Sequence, residues 1–506
     1  MKNLPNKLYN VDSIVQLEQI AINQFDISAY ELMKRAGHAV FNLLKTRYPQ
    51  HKKILVLCGA GNNAGDGYVV AKLGKLAGLD VHVISLINPE SLKNAALLAY
   101  NDWLKVAAND NADFSLLDET DIVIDALLGT GLAREVSAEW AQWITAVNNS
   151  VKPVISVDIP SGLLADTGVI AGVAIKADAT VSFIGLKQGM FTAQAKDICG
   201  DIVFNDLGLP AEVYSLVECE TRLINAIDYS LLPKRKASSH KGRFGHVLIV
   251  GGNTGMPGAV ILAARAALRT GAGLVTIITT AQNLQAISSA VPEAMVKTCE
   301  KDAENDVAMT NLFAEPSIKE VSHVAIGMGL GQDDWSLKIL QHCVQLHKPM
   351  LVDADALNLI AKNDITIASP LVITPHPGEA ARLLSQDSAI STADVQNNRF
   401  EAVKKLYALF ENSESCTVIL KGSGTLIFDG QTIKICNLGN AALSAPGMGD
   451  VLSGIVIALM AQNIEIFDAA ALAVCLHASA AELVTGDKTR GLLASDVIDA
   501  LPKVLQ

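Results

Sequence analysis

Lys52-Lys-Ile-Leu-Val-Leu-Cys58, running into Gly59-Ala-Gly-Asn-Asn-Ala-Gly-Asp-Gly67, is the stretch that decides how this chain folds. A short apolar run bounded by lysines and a glycine cluster reads as a parallel strand buried on both faces. The glycines form a turn, and Tyr68-Val-Val-Ala-Lys-Leu73 reads as the helix beyond it. Glycines at such a turn let backbone N–H groups converge on an anion at the helix N-terminus. The pattern is neither Gly-Lys-Ser/Thr of a P-loop nor the dinucleotide fingerprint Gly-x-Gly-x-x-Gly. Asn62, Asn63 and Asp66 add side chains able to hold a cation or a polar ring substituent. Read alone, a glycine turn is as often structural as ligand-binding; the Asn-Asn and Asp within it favour a site.

Outward from this stretch the same alternation continues. Residues 11–48 read as two helices. Beyond the turn come a helix to Ala77, strands at Val81–Leu86, Ile122–Asp125 and Val154–Asp158, and helices from about Glu90 and over Ala138–Val147. Near residues 218–243 the pattern stops, and Pro233–Arg243 is basic and polar, as a linker would be. A second alternation follows. It has strands at His246–Val250, Leu274–Thr279, Val321–Gly327, Met350–Val352, Val372–Thr374 and Thr417–Leu420, then a hairpin about Asp429-Gly430. Helices over Asp450–Ala461 and Ala469–Thr485 close it. The fold class is therefore α/β in two domains, residues 1–220 and 225–506, each a parallel sheet with helices on its faces.

A chain of 506 residues, half of them hydrophobic, has enough apolar material for two full cores. No uninterrupted apolar run reaches the roughly 18 residues of a membrane span, and the first residues lack a signal peptide's apolar segment. A net charge of −12 argues against a nucleic-acid backbone as partner. The eight cysteines are scattered without a Cys-x-x-Cys pair, which fits a reduced, cytoplasmic protein.

In an open parallel sheet, ligands collect beyond the carboxyl ends of the strands. Three polar clusters of the first domain fall there: Asn62–Asp66, Asp125-Ala-Leu-Leu-Gly-Thr-Gly-Leu-Ala-Arg-Glu135, and Asp158-Ile-Pro-Ser-Gly162. A single strand-end aspartate is more often a helix cap; three in succession point to a shared site. In the second domain the informative stretches are Gly327-Met-Gly-Leu-Gly331, Asp353-Ala-Asp355, Thr374-Pro-His-Pro-Gly-Glu379, Lys421-Gly-Ser-Gly-Thr425 and Gly447-Met-Gly-Asp450. An aspartate after Gly-x-Gly at a helix start can take a proton from a hydroxyl while the N–H nest holds a transferred phosphoryl group. Its alternative is a plain N-cap, as a turn is for His376 between its two prolines. No zinc or serine-hydrolase motif occurs in the chain.

Those motifs, in this order over nearly the whole chain, resemble the family of bifunctional NAD(P)H-hydrate repair enzymes. The first three match its epimerase domain, a Rossmann-like sheet. Lys241-Gly-Arg-Phe-Gly-His246, Met256-Pro-Gly-Ala259, Thr374–Glu379, Lys421–Thr425 and Gly447–Asp450 match its dehydratase domain, a ribokinase-like fold. The resemblance implies interconversion of the R and S forms of hydrated NADH and NADPH (NADHX and NADPHX), and dehydration of the S form with ADP cleaved to AMP and phosphate. It implies that Asn62, Asn63, Ala64, Gly65 and Asp66, with Gly129, Thr130, Gly131, Leu132, Ala133, Arg134, Glu135 and Asp158, hold the hydrate. Asn63, Asp125 and Ser161 would ligate K⁺. In the second domain Ala259, Gly329, His376 and Asp450 would contact the hydrate, and Lys421, Gly422, Ser423, Gly424, Thr425 and Gly449 the nucleotide, with Mg²⁺ as helper. Asp450 and Asp158 are the expected catalytic residues of the two sites. The chain departs from the family at Ala64, usually glycine, and Met448, usually threonine; a β-carbon at 64 strains the turn if that residue needs positive φ. Neither nucleic acid nor membrane is implied, and a homo-oligomer is. Two rivals stay open at this point, a ribokinase-like kinase of a small alcohol and a first domain that only binds, and the residues do not separate ADP from ATP.

Overall fold

The computed structural model describes residues 4–301, 306–385 and 389–505, in two compact units, Met1–Leu223 and Ile224–Gln506. The first unit holds strands β1 (Lys7–Tyr9), β2 (Lys53–Cys58), β3 (Asp80–Ser85), β4 (Ile122–Ala126), β5 (Val154–Val157), β6 (Ala179–Phe183), β7 (Leu186–Lys187), β8 (Asp201–Asn205) and β9 (Thr221–Ile224). Six of them form a sheet in the order β3-β2-β4-β5-β6-β8, every pair parallel. Along β2 the side chains alternate. Ile54, Val56 and Cys58 enter the core beneath the helices Ala29–Arg47 and Asn62–Leu76, while Leu55 and Leu57 enter the opposite core around Trp143 and Ile144. Burial on both faces is why the strand reads as a continuous apolar run. The strand order turns at β2 and β4, so the loops leaving their carboxyl ends diverge and leave a crevice.

The second unit repeats the logic with β10 (His246–Val250), β11 (Leu274–Thr279), β12 (Met295–Thr298), β13 (His323–Ile326), β14 (Met350–Val352), β15 (Leu371–Ile373), β16 (Cys416–Leu420), β17 (Leu426–Phe428) and β18 (Ile433–Cys436). The order is β12-β11-β10-β13-β14-β15-β16-β17-β18, parallel as far as β16 and antiparallel after it. The crevice here lies between β10 and β13. The expected hairpin forms about Asp429-Gly430, where Asp429 Oδ1 accepts the N–H groups of Gln431 and Thr432 at 2.9 and 2.7 Å. The helix Ile466–Thr485, 20 residues long, is apolar enough to cross a membrane by length and composition, although Asp468 and Glu482 interrupt its apolar run. Two-thirds of its apolar window, 67%, is buried inside this unit, the position of a core helix.

Two readings of the chain change. Pro233–Arg243 is not a free connector: Arg235 donates to Gly271 O and Gln462 Oε1 at 2.6 and 2.9 Å and lies over the Phe244 ring. The polar composition reflects exposure, and the anchoring comes from one arginine. The helix after β2 starts at Asn62 instead of Tyr68. Its glycines are there for close packing: a β-carbon at Gly65 would lie 2.5 Å from Met33 Sδ, and one at Gly67 2.7 Å from Ala126 Cβ. Strands β6 and β8 had no expectation, because Thr180 and Ser182 interrupt the apolar run of β6 and β8 is only half-buried.

Candidate functional site

In the first unit the chain leaves β2 through Gly61, at φ 84°, and enters the helix at Asn62. Ala64 is therefore helical and fully buried, and the strain expected of a β-carbon there does not arise. A cleft of about 470 Å³ opens over this turn. Asn62, Asn63 and Asp66 line it from the helix, Gly129, Thr130, Gly131, Leu132, Ala133 and Arg134 from the segment after β4, and Asp158 from the segment after β5. Ala64 and Gly65 pack beneath it, and Glu135 lies against Gly172.

Beneath the cleft Asp125 is fully buried, with both oxygens engaged. Ser156 Oγ and Ser161 N donate to Oδ2 at 2.7 and 2.9 Å, Ser161 Oγ and Leu127 N to Oδ1 at 2.5 and 3.3 Å. Burial pushes its pKa up and these donors pull it back. Ser161 also accepts the N–H of Leu128 at 2.8 Å, so one serine joins the loops after β4 and β5. Asn63 is buried against Gly129, and among the described residues neither its amide nitrogen nor its oxygen has a hydrogen-bond partner. Buried polar groups in native folds are almost always paired, so such a group leaves room for a water, an ion or a ligand. A monovalent cation suits an amide oxygen, a hydroxyl and one carboxylate, and Asn63, Asp125 and Ser161 supply those.

Asp158 adopts φ 65°, unusual for a residue with a β-carbon and typical of strained functional positions. Its Oδ1 accepts Phe183 N at 3.0 Å and is ion-paired with Lys187 Nζ. Lys187 is fully buried and donates as well to Ser182 Oγ and Phe183 O, each at 3.1 Å. Two more carboxylates share the cleft. Burial, then the charges of Asp158 and Glu18, raise Asp66 well above the carboxylate range; burial and Asp158 raise Glu18. Lys187 and Glu18 had no place in the sequence expectations. Lys187 follows an unread strand, and Glu18 sits on an amphipathic helix whose charges read as solvent-facing.

In the second unit the helix Met448–Ala461 begins after Gly447, at φ 81°, with no side-chain cap, so its first N–H groups remain available. Met448 is buried. Asp450 stands in the first turn, its pKa pushed up to about 7 by burial and by Asp353, against the pull of Lys421. Lys421 Nζ bonds Asp353 Oδ1 at 2.8 Å, with Glu379 Oε2 at 3.9 Å. Ser453 Oγ, one turn after Asp450, donates to Asp353 Oδ2 at 2.8 Å. Burial opposes the charge on both Asp353 and Lys421, and their mutual attraction wins: the carboxyl is held low and the ammonium high. A β-carbon on Gly449 would lie 3.4 Å from Lys421 Nζ, which puts the ammonium against the helix start.

His376 caps the helix Pro377–Leu384, its Nδ1 accepting Gly378 N and Glu379 N at 3.0 and 3.3 Å while Glu379 Oε2 accepts His376 N at 2.8 Å. The ring is half exposed, so capping and ligand contact are compatible. Ala259 and Gly329 meet at the crevice: Asn253 N donates to Gly329 O at 2.7 Å, and a β-carbon on Gly329 would lie 3.0 Å from Ala259 Cβ. In Lys421–Thr425, Gly422 and Gly424 take positive φ, and Thr425 Oγ1 donates to Gly422 O at 3.1 Å. Asp353, quoted from the sequence without a role, proves to be the hinge of this constellation. Among the described residues no group of three or more His, Cys, Asp or Glu side chains could hold a metal. A Mg²⁺ here would ride on nucleotide phosphates, without a protein cage.

Two family models match the chain. Residues 29–189 match that of the YjeF-related protein N-terminus, and residues 247–503 that of NAD(P)H-hydrate dehydratase. The chain is 39% identical to the bifunctional NAD(P)H-hydrate repair enzyme Nnr of Escherichia coli, over 99% of this chain and 95% of that one. It is 42% identical to the protein of the same name from Vibrio cholerae, over 99% of both. Among solved structures it is similar to the ADP/ATP-dependent NAD(P)H-hydrate dehydratase of Bacillus subtilis, co-crystallised with ATP and Mg²⁺. That likeness has 29% identity and a TM-score of 0.47, over 55% of this chain and 94% of that one.

Proposed function

The chain belongs to the family of bifunctional NAD(P)H-hydrate repair enzymes, and from that premise we propose that its first unit interconverts the R and S hydrates of NADH and NADPH while its second dehydrates the S hydrate with ADP. The observation that carries this reading is Asp450, a carboxylate with a pKa near 7 at a bare helix N-terminus beside the Lys421 ammonium. Hydration leaves a hydroxyl at C6 of the nicotinamide ring, and hydroxide is a poor leaving group. Asp450 takes the proton of that hydroxyl as its oxygen attacks the terminal phosphoryl group of ADP; a P–O bond forms and AMP departs. The N–H nest of Gly447–Asp450 and Lys421 balance the charge on the transferred group. The lone pair on N1 then expels phosphate from C6, and loss of a C5 proton restores the dihydropyridine. The segment Lys421–Thr425 with Gly449 holds the nucleotide; Ala259, Gly329, His376 and Asp450 face the ring.

In the first unit, Asn62–Asp66, Gly129–Glu135 and Asp158 hold the hydrate, and Asn63, Asp125 and Ser161 hold K⁺, which when bound ties the three loops together. The donor set supports the cation: an amide without a partner, a hydroxyl and one carboxylate. The enzyme acts in the cytoplasm, a reading consistent with the eight cysteines being free, and we propose that it does so as a homo-oligomer. The test supplies mixed NADHX epimers with ADP and follows recovery of the near-ultraviolet absorbance of the dihydronicotinamide, with AMP and phosphate assayed beside it. Full recovery of both epimers is expected. A stable phosphoester product would instead identify a small-alcohol kinase, and recovery of the S epimer alone a first unit that only binds.

A further inference from the structure

The first unit's cleft holds three carboxylates, Glu18, Asp66 and Asp158, and one buried ammonium, Lys187. Lys187 is committed to Asp158 by the ion pair and by the Phe183 and Ser182 oxygens around it. Glu18 comes from the helix Val11–Phe25, one turn after Ile14, which lines the same cleft. Asp66 comes from the helix Asn62–Leu76. It is 9% exposed, and no donor among the described residues reaches its carboxylate. The adjacent Asn63 amide, also buried and unpartnered, marks the same wall as built for a ligand.

Resting on the epimerase reading of this unit, we propose that Glu18 and Asp66 are the acid and base that exchange protons with the C6 oxygen of the hydrate, and that Asp158 with Lys187 is a fixed charge pair that positions them. Two carboxylates from different elements can serve the two faces of one ring carbon, which inversion at C6 requires. The protonated member gives its proton to the C6 hydroxyl. The C6–O bond breaks, the N1 lone pair becomes the second C6–N1 bond, and water leaves. Water then adds to the other face: its oxygen bonds C6, the C6–N1 π pair returns to N1, and its spare proton passes to the ionised carboxylate. One proton has moved from one carboxyl to the other, and the reverse reaction returns it. Burial and the neighbouring carboxylates raise both groups, which supports the assignment by favouring a shared proton held by one member of the pair. Asp158 and Lys187 face them from the loop after β5 and from β7, and Arg134 from the exposed rim. Asp158, the acid/base expected from the sequence, is left as the partner of Lys187.

The test compares wild type, Glu18→Gln and Asp66→Asn in the full chain, measuring enzyme-driven conversion of the R hydrate above its uncatalysed rate. Each variant should lose about 10²–10⁴-fold in kcat, with KM changed only a few-fold. The pH profile of kcat should lose one limb in each. Thermal melting and dehydration of the S hydrate in the same chain should stay as in wild type. Retention of kcat within a few-fold by either variant, or a loss confined to KM, overturns the proposal while leaving the epimerase reading intact. A wild type that does not convert the R hydrate overturns both.

Discussion

Asp450 sits where burial and the Asp353 carboxylate make its proton hard to lose, so its basic form is populated only above about pH 7. A base must be ionised to act. Dehydration is therefore expected to rise with pH through about 7 and to level off above it, measured as kcat/KM for the S hydrate. Asp355 adds to the upward shift, so Asp355→Asn should move that limb to lower pH; an unmoved limb would assign it to another group. Asp450→Asn keeps the size and removes the base: dehydration should fall about 10²–10⁴-fold, with ADP binding by calorimetry and R-hydrate conversion both retained. At Asn63 the expectation is thermodynamic. Because its amide has no partner among the described residues, K⁺ should raise the melting temperature of the first unit by mass action, and Asn63→Ala should abolish that rise while melting like wild type without K⁺. Equal K⁺ responses in the two proteins would remove Asn63 from the ion. Crystals soaked in Rb⁺ should carry an anomalous peak touching Asn63, Asp125 and Ser161. Asn63, Asp125 and Ser161 were legible from the chain because each lies at or just past the carboxyl end of a strand, in a stretch that holds glycines. Glu18 and Lys187 were not, because a charge on a helix face or after a weak strand has no local mark; only the fold brings them to Asp66 and Asp158.

The helix Asn62–Leu76 shows how an element can be right in kind and wrong in extent. Its glycines suggested a loop as far as Gly67, yet the helix includes them, since their missing side chains let it approach Met33, Ala96 and Ala126 closely. Intrinsic propensity favours alanine over glycine in a helix by about 1 kcal/mol. Packing should reverse that sign here. Gly65→Ala and Gly67→Ala are each expected to destabilise the first unit, by about 1–3 kcal/mol from overpacking, as read from urea unfolding. A gain in stability would show that the neighbours yield and that the glycines serve the turn alone. The same competition explains β6, whose Thr180 and Ser182 are fully buried. Thr180 Oγ1 finds Cys199 O at 2.7 Å and Ser182 Oγ accepts from Lys187, partners outside the strand that its own alternation does not show.

The chain as a whole divides at Leu223 and Ile224, between the domains expected at 1–220 and 225–506, and β9 pairs with β1 through Leu8 and Thr221. A cut at 223/224 should give two soluble fragments: residues 1–223 should interconvert the hydrates, and residues 224–506 should dehydrate only the S form. If both fragments are insoluble, or the second consumes R and S at equal enzyme-driven rates, the activities do not divide with the units. Two α/β units, most of the central parallel strands and their polar ends were determined by the sequence alone. Period, apolar runs and glycine turns are local signals, and burial on both faces writes them strongly. Tertiary structure alone decided where the strand order reverses and hence where each crevice opens. It also decided that Lys421 would hold Asp353 beneath Asp450, and that Lys187 would occupy Asp158 and leave Glu18 and Asp66 without an ion pair among the described residues. Those are contacts between residues tens to hundreds of positions apart, and their energies depend on burial and on charges that no local window of sequence contains.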